Sequence, residues 1–162
     1  MMDERNTGQE PSRFVRDKAF ISYSRSDAKY LSELHAHLKF HTRNGMINFW
    51  DDTMIKPGER WSEKITHGLQ SAKVAVFLVS AEFLASDFIA TRELPPLLTA
   101  AAQEGVVILS VILSPSAFKY SPLAQFQTVN VPSNPLSAMT KGQRQAVWVS
   151  VAESIKEALK LP

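Results

Sequence analysis

The sequence predicts an α/β domain in which a parallel sheet carries helices on both faces. Two observations predict it. Short β-rich or apolar runs alternate with helical patterns along the chain, the order that βαβ units produce. Two of those runs, residues 74–79 and 106–113, are apolar almost throughout, as strands buried on both faces must be.

Residues 19–23, Ala-Phe-Ile-Ser-Tyr, form the first predicted strand. Ser24 followed three residues later by Asp27 has the form of a capping box. The helix it opens places Tyr30, Leu31, Leu34 and Leu38 on one face and stops at Asn44-Gly45. A second strand is predicted over residues 46–50, then a loop over 51–60 with a Pro57-Gly58 turn, then a short helix over 61–69. The apolar strand at 74–79 leads to a helical stretch at 82–103, which Pro95-Pro96 must kink or restart. The strand at 106–113 is followed by a short fifth strand at 126–131. A second capping box, Thr140 with Gln143, opens a last helix with Val147, Val151, Ile155 and Leu159 on one face. Five strands in this arrangement suit the doubly wound, flavodoxin-like order 2-1-3-4-5.

The chain has 162 residues, the size of one domain, with 44% apolar and 21% charged residues, which excludes disordered and fibrous classes. It has no cysteine, so disulfide scaffolds, thiolate metal sites and cysteine nucleophiles are excluded, and a reducing, cytoplasmic setting is expected. A net charge of +2 is too even to demand nucleic acid, and no direct nucleic-acid contact is expected. Residues 1–17 are polar and mixed in charge, without the apolar core of a signal peptide, and are expected to be a disordered lead-in to a domain at 18–160. The longest apolar run has eight residues where a bilayer needs about twenty, so no membrane association is expected.

Ligands of such sheets bind beyond the carboxyl ends of the strands, at the switch point between strands 1 and 3. The loops after strands 1, 2 and 3 therefore carry the candidate residues. The six glycines stand alone, so no phosphate-cradling glycine loop exists. His37 and His41 lie one helical turn apart but have no third ligand at suitable spacing, and no metal is expected. Asp51-Asp52 follows strand 2, whereas a phosphate-accepting receiver places its acids after strand 1, where this chain has Ser24-Arg25.

Phe20-Ile21-Ser22-Tyr23-Ser24, then Trp50-Asp51-Asp52, then Ile55-Lys56-Pro57-Gly58 ahead of Trp61 resemble the Toll/interleukin-1-receptor (TIR) domain in its bacterial style. Val79-Ser80 ahead of Ser86-Asp87-Phe88-Ile89 and Glu93-Leu94 continue the resemblance, which covers residues 18–159 with every motif in order. The family divides in two. Many animal members are scaffolds that act by homotypic contact through the loop after strand 2. Many bacterial and plant members cleave NAD between nicotinamide and ribose, and some cyclise the ADP-ribose. The resemblance implies Glu93 as the catalytic residue. It implies Tyr23, Ser24, Arg25, Asp51, Gly58, Trp61, Ser86 and Ile89 as the residues around the substrate.

Nicotinamide leaves a cationic pyridinium as a neutral base, so no acid is needed for the leaving group. One ionised carboxylate can then stabilise the oxocarbenium-like ribose, whereas an ordinary glycosidase needs two carboxylates. Several of the enzymes carry an aromatic residue four positions before the glutamate. Here that position is Ile89, with Phe88 beside it and Trp61 on the facing loop as other stacking surfaces. The resemblance thus implies an NAD hydrolase or cyclase, with NAD as substrate and no cofactor, working as an antiphage or cell-suicide effector. Its partners would be other TIR domains, in a homo-oligomer or filament, and a fused or separate sensor module. The alternative is a non-catalytic scaffold.

Overall fold

Four parallel strands, β1 (Lys18–Ser22), β2 (Phe49–Trp50), β3 (Ala72–Val79) and β4 (Val107–Ile112), lie in the order β2-β1-β3-β4 in the computed structural model, which describes residues 15–162. Phe20 pairs with Trp50, Ser22 with Phe77, and Val79 with Ile112, so the strands end together at one edge. The expected lead-in falls largely on residues 1–14, outside the described residues. Arg16 is anchored, hydrogen-bonding the carbonyls of Leu69 and Ala72 and pairing with Glu104.

The strand count differs from the five expected. Residues 126–131 meet β4 at one parallel bridge, Ser110 with Thr128, and form no fifth strand. The physical reason is Asn130. Its buried side chain accepts from the Ile112 amide and donates to the Ile112 carbonyl, both at 2.9 Å, taking the bonds a strand backbone would make. The segment still occupies the fifth position, beside β4. The second strand is also shorter than expected, since only Phe49 and Trp50 pair fully with β1 after the left-handed turn at Gly45 (φ 72°).

The helices are α1 (Ala28–Arg43), α2 (Trp61–Ser71), α3 (Ala81–Ala85), α4 (Leu94–Glu104) and α5 (Lys141–Lys160). The expected capping box at Ser24 is replaced by a 3-10 turn, Arg25–Asp27, in which the Ser24 hydroxyl accepts from the Ser26 amide. The Asp27 carboxylate instead accepts from the Ser80 hydroxyl, tying the ends of β1 and β3 together. The capping box at Thr140 and Gln143 is complete. The helical stretch after β3 is broken at Ser86 and resumes through a widened π turn, Ile89–Glu93, whose last bond runs from the Leu94 amide to the Ile89 carbonyl. Pro95 and Pro96 lack the amides that would continue an ordinary helix, so they sit in the first turn of α4.

β3 separates two cores. Val74, Val76 and Leu78 face α1 and α5, against Leu34, Leu38, Trp148 and Ile155. Ala75, Phe77 and Val79 face the other layer, against Phe83, Ile89, Leu97 and Leu123. Alternation along a strand buried on both faces produces this division. α2 approaches closely on the second face because residue 68 is glycine: a Cβ there would lie 2.7 Å from the Trp50 ring.

Candidate functional site

The chain crosses over between β1 and β3, and their carboxyl ends open into a cleft of about 700 Å³. Tyr23, Ser24 and Arg25 line it from the end of β1, and Asp52 and Ile55 from the loop after β2. Trp61 and Ile65 line it from α2, and Ser86, Phe88, Ile89 and Glu93 from the connection after β3.

Glu93 is the last residue of the π turn and is only 7% exposed. The Ser22 hydroxyl donates to its Oε1 at 2.6 Å. Burial pushes this carboxyl up to about 7. The Ser22 hydrogen bond opposes that rise, and the charge of Asp52 adds to it. The Tyr23 hydroxyl donates to Asp52 Oδ1 at 2.7 Å, and burial followed by this bond raises its pKa well above the ordinary value. Arg25 lies 3.9 Å from Asp52 Oδ2 with its side chain 91% exposed. An exposed pair of that length contributes little, about 0–1 kcal/mol, and leaves the guanidinium open to an anion. Across the mouth, the half-exposed Trp61 ring sits 5.6 Å from Phe88, and Arg92 lies over the Phe88 ring at 5.8 Å.

Of the nine residues named from the sequence, the structure brings seven to this cleft: Glu93, Tyr23, Ser24, Arg25, Trp61, Ser86 and Ile89. Ile89 contributes little surface, because its side chain is packed into the second core. Asp51 and Gly58 do not line the cleft. Asp51 is fully buried, accepting from the Thr53 amide at 3.0 Å and pairing with His35 Nε2 at 2.7 Å, where it shapes the loop from beneath. Gly58 holds a left-handed turn (φ 89°) facing open space. The cleft instead receives the next carboxylate, Asp52. Asp52 and Phe88 stand on the loops that carry the candidates, and Ser22, which touches the site through Glu93, is the polar residue to which the sequence reading assigns no role. Ser22 had a signal: it is the one polar side chain in β1 after Lys18.

This arrangement has a defined chemical capacity. A buried carboxylate can stabilise developing positive charge, two aromatic rings inclined at 56° offer apolar faces at the mouth, and one exposed guanidinium can meet an anion.

Comparison with known proteins agrees with the fold. An uncharacterised protein, y4lF, of Sinorhizobium fredii (strain NBRC 101917 / NGR234) is 24% identical over 139 residues, covering 86% of this chain and 42% of that protein. The chain therefore spans less than half the length of this relative. The family model of the TIR domain matches residues 19–146, from β1 into the last helix, and the chain belongs to the TIR domain family.

Proposed function

We propose that this domain cleaves NAD between nicotinamide and ribose, with NAD as substrate and Glu93 as the catalytic residue. The observation that carries the reading is the Glu93 carboxylate, buried at the base of a cleft whose mouth holds aromatic rings and an exposed guanidinium. In its anionic form it stabilises the oxocarbenium-like ribose as the neutral nicotinamide departs. The positive charge of bound nicotinamide favours that anion, offsetting the burial that raises its pKa. Arg25 meets the diphosphate, and Trp61 and Phe88 supply the ring surface in place of the buried Ile89. Water or an adenine nitrogen then captures the ribose, giving ADP-ribose or its cyclic form.

The cellular counterpart of this reading is a cytoplasmic antiphage or cell-suicide effector, switched on when a sensor module assembles TIR domains. A homotypic scaffold is the second reading, favoured by the exposed apolar side chains of Met54, within the loop after β2, and Trp61, where that loop ends.

Concentrated protein incubated with NAD, with nicotinamide followed by chromatography over hours, tests the two. The enzyme reading expects release by the wild type and none by Glu93→Gln. A wild type that releases no nicotinamide, even under crowding, leaves the scaffold.

A further inference from the structure

We propose that Ser22 is a positioning residue for Glu93: its hydroxyl holds one carboxylate oxygen so that the other is presented to the cleft. The inference rests on the NAD-cleaving reading and deepens it. Ser22 closes β1, with its Cα paired to Phe77 in the middle of the sheet, and is 2% exposed. Its position is therefore set by the hydrogen-bonded pairing of β1 with β3. The 2.6 Å bond to Glu93 Oε1 has the length of a charge-assisted O–H···O⁻ contact. Among the described residues, no other side chain hydrogen-bonds this carboxylate. The terminal torsion of a glutamate is broad and roughly two-fold, so a single short bond is what selects one orientation.

The backbone contributes the other half of the geometry. Glu93 ends the π turn that precedes Pro95-Pro96, a wider turn than an α-helix, and Ser22 is the contact that captures its side chain.

The end of β1 contributes Tyr23 and Arg25 to the cleft, and the loop after β2 contributes Asp52. α2 contributes the uncharged Trp61 and Ile65, and on the π turn itself Arg92 lies over the Phe88 ring. Burial and Asp52 both disfavour the Glu93 anion, and the Ser22 hydroxyl is the contact that favours it. Removing the hydroxyl therefore has a signature that a purely structural serine lacks: it raises the pH at which Glu93 ionises.

The test uses Ser22→Ala in the full chain, with Ser22→Cys as a variant that keeps the volume and has only a weak donor. The first readout needs no NAD. It is the difference in urea unfolding between each Ser22 variant and the same variant carrying Glu93→Gln, followed across pH. The pH at which this difference levels off reports Glu93 in the folded domain. It is expected to rise by about one pH unit relative to wild type, a tenfold fall in the acid constant. The second readout is NAD cleavage, where kcat is expected to fall about tenfold, KM to change less than twofold, and the rising pH limb to move by the same amount. A levelling pH that does not move overturns the proposal, as does an unchanged kcat in a folded variant. If the levelling pH moves while wild type releases no nicotinamide, the NAD reading falls and the hold of Ser22 on Glu93 stands.

Discussion

Replacing Glu93 with glutamine is expected to stabilise the domain at neutral pH while abolishing the proposed NAD cleavage. The folded domain holds this carboxyl at about 7 against an ordinary 4.5, chiefly through burial. A pKa raised by folding means the fold favours the protonated form. That contribution is present in full below 4.5, diminishes as pH rises toward about 7, and is gone above it. The displacement corresponds to roughly 3 kcal/mol at 1.36 kcal/mol per pH unit for a residue that is almost wholly buried. Glutamine keeps the shape, has an oxygen to accept from Ser22, and does not titrate. Urea unfolding followed by tryptophan fluorescence should therefore show the two proteins diverging between pH 4.5 and pH 8. The midpoint of Glu93→Gln should end about 1–3 M above wild type, given typical urea slopes. Nicotinamide release by wild type should rise over the same interval if the Glu93 anion is the reactive form, as proposed. A stability difference that stays flat from pH 4.5 to 8 would refute the reasoning, because the carboxyl would then not be desolvated.

Ile89→Trp is expected to destabilise by about 1–3 kcal/mol on thermal melting, because Ile89 is packed in the second core and has no room for a ring. Trp61→Ala, at a half-exposed site, should leave stability nearly unchanged and raise KM for NAD by roughly two- to twelvefold, the equivalent of one lost aromatic stack of about 0.5–1.5 kcal/mol. Gly68→Ala should destabilise by about 1–3 kcal/mol from the clash with Trp50, offset by at most about 1 kcal/mol of helix propensity, as denaturant unfolding would show. If assembly switches the domain on, nicotinamide release per molecule should rise across a dilution series toward high concentration, and a flat rate counts against assembly.

The parallel sheet, the two buried strands and the amphipathic faces of α1 and α5 were legible because each is a local property. Hydrophobic period and turn chemistry are written in neighbouring residues. The motifs of the cleft were legible by resemblance, and they fall on the loops where a doubly wound sheet binds its ligands. The fifth strand was misread because 126–131 has a strand's composition, while the decisive contact, Asn130 with Ile112, joins residues 18 apart. Asp51 and Asp52 show the same limit within one loop. They are the same residue type side by side, yet one is fully buried beneath the loop with His35 and the other faces the cleft.

Local patterning along the chain sets the class of fold, the order of its elements and the loops that meet at the switch point. Tertiary structure alone decided that Glu93 is desolvated and gripped by Ser22, 71 residues away, and that Ile89 is withdrawn while Trp61 and Phe88 are presented. The physical reason is that periodicity and capping act within a few residues, whereas burial and hydrogen-bond partnership depend on which distant segments the folded sheet brings together.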